Sequence, residues 1–127
     1  MSDFEKIKVI REGSSEIIFG KRIAENIYRC EESALFIEEL VYGAEIEVKE
    51  ENGQKVMVKL INASPFITTR ILLSREMLDS DKGKEAKSKI ISYGGEWEQI
   101  MGGYFLFHLP KDRKREIIEI KSLLKAE

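Results

Sequence analysis

An Asn-Gly dipeptide, Asn52-Gly53, separates two runs in which apolar and charged residues alternate, 45–50 and 55–61. Few dipeptides restrict a chain as strongly, because Asn and Gly accept the positive φ angles that tight hairpin turns demand. The segment is therefore expected to be an antiparallel hairpin, and its register decides which side chains face water. A two-residue turn pairs Val48 with Met57 and Ile46 with Lys59, scattering apolar residues over both faces. A three-residue loop, Glu51-Asn52-Gly53, pairs Val48 with Val56 and Ile46 with Val58 and gathers them on one face. The second register is the one expected. It sends Glu45, Glu47 and Lys49 outward with Lys55, Met57 and Lys59, where a pair such as Glu45–Lys59 contributes roughly 0.2–1 kcal/mol.

Strand patterns also cover residues 4–11 and 16–22, around a turn at Gly13-Ser14-Ser15. Residues 26–32 and 34–37 fit short strands or loop equally well. After Ser64-Pro65, a strand at 66–73 precedes a helix at 79–93, with Ala86, Ile90 and Tyr93 on its stripe and Gly94 stopping it. A second hairpin follows in EWEQIMGGYFLFHLP. An odd-length loop around Met101-Gly102-Gly103 places Trp97, Gln99 and Met101 on the face of Phe105, Phe107 and Leu109. His108 falls on the other face with Glu96, Glu98, Ile100, Tyr104 and Leu106. Pro110 is placed to open a C-terminal helix with the stripe Ile117, Ile120 and Leu124, flanked by Ile118 and Leu123. The expected class is α+β, with an antiparallel, barrel-like β-rich half over 1–63 and a β-α-β-β-α, ferredoxin-like half over 64–127, together one compact unit. The second half lacks the last strand of a split β-α-β sandwich, and an N-terminal strand could fill that gap.

The order VYGAEIEV, SPFITTRILL, ISYGGEWEQ and YFLFHLP, before a final helix, resembles a small bacterial family of unknown function. The resemblance runs from about Glu16 to Leu124. Members of that family carry a Gly-Asp-x-Val-type strand start, a Ser-Gly-His-x-Thr-x-Arg strand and a Val-x-x-Pro strand end. Ser64, Thr68 and Arg70 match the second motif, while Pro65-Phe66 stand where it has Gly-His, so the family histidine has no counterpart here. The resemblance implies the two-part architecture and no activity.

Charge is the other strong signal. Through Asn52 there are 7 basic and 13 acidic residues, and from Gly53 onward 14 and 10, balances of −6 and +4. Such asymmetry points to charged partners. No run approaches the roughly 20 apolar residues of a membrane span, and the first residues lack a signal pattern, so a cytoplasmic protein without membrane contact is expected. The single cysteine, Cys30, can form no internal disulfide and is expected to be a buried structural thiol.

Between Leu35 and Gln54 six of twenty residues are glutamates, against one lysine. Hydrolysis by two carboxylates needs them held across a cleft with separated pKa values, and metal sites commonly recruit His, Cys or Asp as well. Strand alternation instead sends Glu45 and Glu47 into water. His108 has no nucleophile at a recognisable spacing. The segment DSDKGKEAKSK contains no phosphate-loop pattern, and Lys82, Lys84, Lys87 and Lys89 read as the wet side of a helix. Residues 111–115 (KDRKR) place four cations in what is expected to be a helix's first turn, where the macrodipole opposes them. They are either solvated and paired with Asp112, Glu116 and Glu119, or a contact for an anion. No catalytic residue, metal or cofactor is expected. The expected function is a non-enzymatic protein-binding module with an acidic face formed by Glu31, Glu32, Glu38, Glu39, Glu45 and Glu47. That face would take a basic protein partner, as an immunity-type or regulatory protein does. The alternative is a nucleic-acid or small-anion binder using Lys111, Arg113, Lys114 and Arg115.

Overall fold

The computed structural model describes residues 4–35, 37–100 and 103–125. Met101 and Gly102, which the sequence places in the second hairpin loop, lie outside them. The class is α+β, with a five-stranded β-rich N-terminal half and a C-terminal half of strands and helices. The chain divides into two compact units, Met1–Pro65 and Phe66–Glu127.

The first unit is a closed barrel of β1 (Phe4–Arg11), β2 (Ser14–Ala24), β3 (Ile27–Cys30), β4 (Glu45–Glu51) and β5 (Gln54–Asn62). Each strand pairs antiparallel with the next, so β1 and β5, an even number of reversals apart, run the same way. The closing seam is therefore parallel, and it is short, a single bridge from Lys8 to Val56. The first turn is tighter than the sequence suggested. Glu12 and Gly13 form it, with φ of 50° and 85°, and Ser14 and Ser15 already belong to β2.

The hairpin at Asn52-Gly53 takes the register that the sequence argument rejected. Glu51 faces Gln54, Lys49 faces Val56 and Val48 faces Met57, with φ of 54° and 78° at Asn52 and Gly53. Both angles are those of a two-residue type I′ turn. The pairing Val48–Val56 and Ile46–Val58 is thus incorrect. Further along, a slip at Glu47/Val48 sets Glu47 opposite Lys59 and Ile46 opposite Leu60, and a second at Glu45/Ile46 sets Glu45 opposite Asn62. A bulge places two residues of one strand against one of its partner, which resets the alternation without changing the turn.

Inside the barrel Ile7, Val9, Ile18, Tyr28, Cys30, Ile46 and Val48 form one buried cluster. Among the described residues, 31–35 and 37–44 add no strand. Ala34, Ile37, Leu40 and Ala44 from this loop join the same core. Local bonds hold the loop, among them Ala34 N–H to Leu40 O at 2.7 Å and Gly43 N–H to Cys30 O at 2.9 Å.

In the second unit β6 (Phe66–Leu72), β7 (Glu96–Ile100) and β8 (Tyr104–Pro110) form a three-stranded sheet in the order β6-β8-β7. With β8 antiparallel to both neighbours, β6 and β7 run parallel across it, the split β-α-β arrangement expected. Among the described residues the five N-terminal strands all belong to the barrel, and none supplies a fourth strand here. Alternation holds without a slip. Phe105, Phe107 and Leu109 are fully buried among Leu78, Ala86, Ile90, Ile120 and Leu124 of the helices.

The expected helix over 79–93 is α2 (Asp81–Ser92), and a short helix that the sequence reading did not include, α1 (Arg75–Asp79), precedes it across Ser80. Its hydroxyl donates to Met77 O at 2.6 Å and accepts from Gly83 N–H at 3.1 Å, ending one helix and capping the next. Gly83 makes this corner possible. A Cβ there would stand 2.3 Å from Met77 O and 2.5 Å from Leu78 O, both backbone atoms. Glycine to alanine inside a helix ordinarily stabilises by about 1 kcal/mol. At Gly83 the sign should invert, with Gly83→Ala costing about 1–3 kcal/mol through the forced separation of α1 from α2. Thermal melting of the variant checks this, and a raised Tm would mean that the corner opens freely.

Pro110 ends β8 instead of opening a helix. Lys111–Arg113 make one 3-10 turn, and α3 (Glu116–Leu124) begins later, with Glu116 and Glu119 in its first turn. The KDRKR cations therefore precede the α-helix, and acids occupy the positions that the macrodipole favours.

Candidate functional site

The carboxylates of residues 31–47 split into two groups. Glu31 is the more enclosed, 11% exposed at its side chain, with Oε2 2.7 Å from Arg29 Nε. Glu32 accepts the Phe19 N–H at 3.3 Å. Both trim the barrel where the loop leaves β3. Glu16, which the sequence argument passed over, works similarly by accepting Leu35 N–H at 2.8 Å. Nothing local in the sequence marks these roles, because each joins positions 13 or more apart, apart from Arg29–Glu31.

The second group faces outward. Glu38 is exposed, and Glu39 pairs with Arg11, whose hydrogen bond holds the Glu39 carboxyl below the usual carboxylate range. Glu45 accepts from Asn62 Nδ2 at 2.8 Å, and Glu47 Oε1 stands 3.9 Å from Lys59 Nζ. The cross-strand ion pair is thus Glu47–Lys59, where Glu45–Lys59 was expected. These groups are at least a third exposed where exposure decides the matter, 38% for Glu39 and for Glu47, so the pairs contribute little to stability.

Lys111, Arg113, Lys114 and Arg115 are all exposed. Arg113 lies over the Tyr93 ring, 5.1 Å from its centroid, and a shallow groove runs past Asp112, Arg113, Arg115, Glu116 and Ile118. Nearby, Tyr93 Oη donates to Glu119 at 2.6 Å and Lys89 Nζ lies 3.1 Å from the same carboxylate. These two bonds hold Glu119 below the usual carboxylate range.

The most enclosed polar constellation lies on the even-numbered face of the second sheet. His108 is 0% exposed, with Nε2 2.5 Å from Glu98 Oε2 and Nδ1 2.8 Å from Thr68 Oγ1. Sequence alternation put Glu98 and His108 on one face. Thr68 comes from β6, 40 residues away, and pairs directly opposite His108. Both ring nitrogens are engaged and no part of the ring reaches solvent, so the ring is held as a cross-strand tie. Among the described residues no three His, Cys, Asp or Glu side chains group as a metal site, and no helix is long and apolar enough to cross a membrane.

These features define a two-unit α+β protein, a closed five-stranded barrel followed by a ferredoxin-like unit, with its charge on the surface and its one histidine sealed. No family model matches the chain, and no curated protein matches it. Among solved structures, a hypothetical protein from Neisseria gonorrhoeae resembles it across 97% of this chain and 85% of that one, with a TM-score of 0.64 and 17% identity. At that identity the match shows a shared fold, which a bacterial protein thus also adopts.

Proposed function

We propose that the protein is a non-enzymatic, cytoplasmic protein-binding module that meets a basic partner through Glu38, Glu39, Glu45 and Glu47. The observation that carries this reading is the alternation along β4. Ile46 and Val48 are 0% and 3% exposed inside the barrel, while Glu45 and Glu47, alternate with them, stay on its outer side. Glu31 and Glu32 then support that surface from behind instead of touching the partner. An outward row of carboxylates steers a cationic protein and rejects an anionic one, the logic of an immunity-type inhibitor or a regulatory subunit. The sealed state of His108 argues against general acid–base work, which needs a ring nitrogen within reach of a substrate. The other reading, an anionic ligand at Lys111, Arg113, Lys114 and Arg115, has weaker support because Asp112 and Glu116 line the same groove.

Replacing Glu38, Glu39, Glu45 and Glu47 together by glutamine should leave unfolding free energy within about 1 kcal/mol of the parent, since exposed pairs contribute little. Affinity capture from nuclease-treated lysate should retain a basic protein on the parent and lose it on the variant. Association should slow and lose much of its salt dependence. Identical capture by both proteins would discard the acidic face, and unfolding of the variant would make those carboxylates structural.

A further inference from the structure

We infer that the outer face of the β1–β2 hairpin is a platform for single-stranded nucleic acid, with lysines on the phosphates and phenylalanine rings under the bases. The register sets Phe4 opposite Lys21, Lys6 opposite Phe19, Lys8 opposite Ile17 and Ile10 opposite Ser15. Ile7 faces Ile18 and both point into the barrel core, so these eight residues, alternate with them, turn outward. Phe4, Phe19, Ile17 and Ile10 are 48%, 40%, 47% and 52% exposed. Four large apolar side chains on one two-stranded face exceed the single scattered residues of an ordinary surface.

None of the eight residues is acidic, in a half of the chain whose balance is −6. Lys6, Lys8 and Lys21 enter no ion pair among the described residues, whereas Lys49, Lys55 and Lys59 each have a carboxylate within 4 Å. The carboxylates at this ladder are engaged elsewhere: Glu5 pairs with Lys55, Glu16 accepts Leu35 N–H, Glu39 pairs with Arg11 and Glu32 takes the backbone N–H of Phe19. Each phenylalanine thus has a cation directly across the ladder. Lys6 and Lys8 stand two residues apart, about 6.8 Å along an extended strand.

Cations interleaved with flat apolar rings suit a polymer that alternates anionic and flat aromatic groups, which is a single nucleic-acid strand. An acidic peptide supplies the charge without rings to stack. A duplex buries its base faces in its own stack. The platform shares no residue with the acidic surface or with the set Lys111, Arg113, Lys114 and Arg115.

Fluorescence anisotropy of a labelled 15-nucleotide oligothymidylate with the full chain, titrated across salt concentrations, tests the platform. The parent should bind, and the variant Lys6→Gln/Lys8→Gln/Lys21→Gln should lower the slope of log K against log salt by about 2, near 0.7 per phosphate contact. Phe19→Leu, which keeps bulk and removes the ring, should weaken binding by about tenfold, while Phe19→Tyr should stay close to the parent. Circular dichroism melts establish that each variant is folded. Glutamine at Glu38, Glu39, Glu45 and Glu47, or at Lys111 and Arg113, should leave the oligonucleotide affinity unchanged, so this platform and the acidic face fail independently. Absence of binding by the parent, equal affinity for a duplex of the same length, or equal salt slopes for the parent and the triple lysine variant would each overturn the inference. Sedimentation with phosphatidylserine vesicles that the oligonucleotide does not compete away would reassign the face to a lipid surface and overturn it as well.

Discussion

Phe107→Ala should destabilise the second unit by about 3–5 kcal/mol, a large share of the roughly 5–15 kcal/mol that holds a domain folded. The residue is 0% exposed on the central strand of a three-stranded sheet, flanked by Thr69 of β6 and Trp97 of β7. Its ring centroid lies 6.2 Å from that of Phe105, which in turn stacks on Trp97 at 5.8 Å. Leu78, Ala86, Ile90, Ile120 and Leu124 close over this layer from the helices. A space opened beneath three helices and beside the Phe105 ring is poorly placed to collapse, which puts the cost toward the upper part of the range. Trp97 is the only tryptophan, so its fluorescence during urea unfolding reports this unit directly. Ile118→Ala serves as the comparison, because Ile118 is 72% exposed and its loss should change stability by no more than about 0.5 kcal/mol. Superimposable urea curves for Phe107→Ala and the parent would show that the buried face has been misassigned.

That face was legible in the sequence because nothing interrupts its alternation. FLFHL keeps period two from Phe105 to Leu109, and β8 pairs with both neighbours without a slip. In β5 the order Val56, Met57, Val58 is apolar at three consecutive positions, so period two carries no information there. The choice of register then fell to the assumption that apolar residues gather on one face. The molecule leaves Val58 46% and Ile61 40% exposed and recovers its core by slipping the ladder twice. A bulge is a property of two strands together, and neither sequence shows it alone. The exposure of Phe4, Ile10, Ile17 and Phe19 was hidden for a related reason. Lysines at 6, 8 and 21 mark the outer side of β1 and β2, but the pairing that puts each beside a ring emerges only with the register.

Charge was legible in amount and illegible in use. The excess of acid before Asn52 is plain, yet Arg11–Glu39 and Phe19–Glu32 join residues 28 and 13 positions apart. KDRKR violates the helix dipole only if Pro110, a common first helical residue, starts the helix. In the folded chain Pro110 still pairs with Phe66 at the end of β8, and one 3-10 turn carries the cations past before α3 begins on glutamates. The local physics is satisfied, and the exposure of those four cations no longer argues for a function by itself.

Glu98→Ala should cost about 3 kcal/mol, more than any exposed ion pair in the molecule. The carboxylate is 15% exposed and accepts from an imidazole at 0%, so its removal takes away the acceptor of a buried N–H. Unmet burial of a polar group, not the lost attraction, sets the size of the effect. Three further variants follow from that cause. Glu98→Gln keeps an acceptor oxygen and should lose about 1 kcal/mol, the margin between a charged and a neutral bond. Thr68→Val, close in shape, removes the partner of Nδ1 and should also lose about 1 kcal/mol. The double variant Glu98→Leu/His108→Leu removes both sides of the contact together and should be more stable than Glu98→Ala by about 2 kcal/mol, because the group that then loses its partner, the Thr68 hydroxyl, belongs to a half-buried residue. Urea unfolding followed at Trp97, one residue before Glu98, measures all four on one scale. If the double variant proved as unstable as Glu98→Ala, the tie between β7 and β8 would owe its strength to something other than the satisfaction of a buried ring.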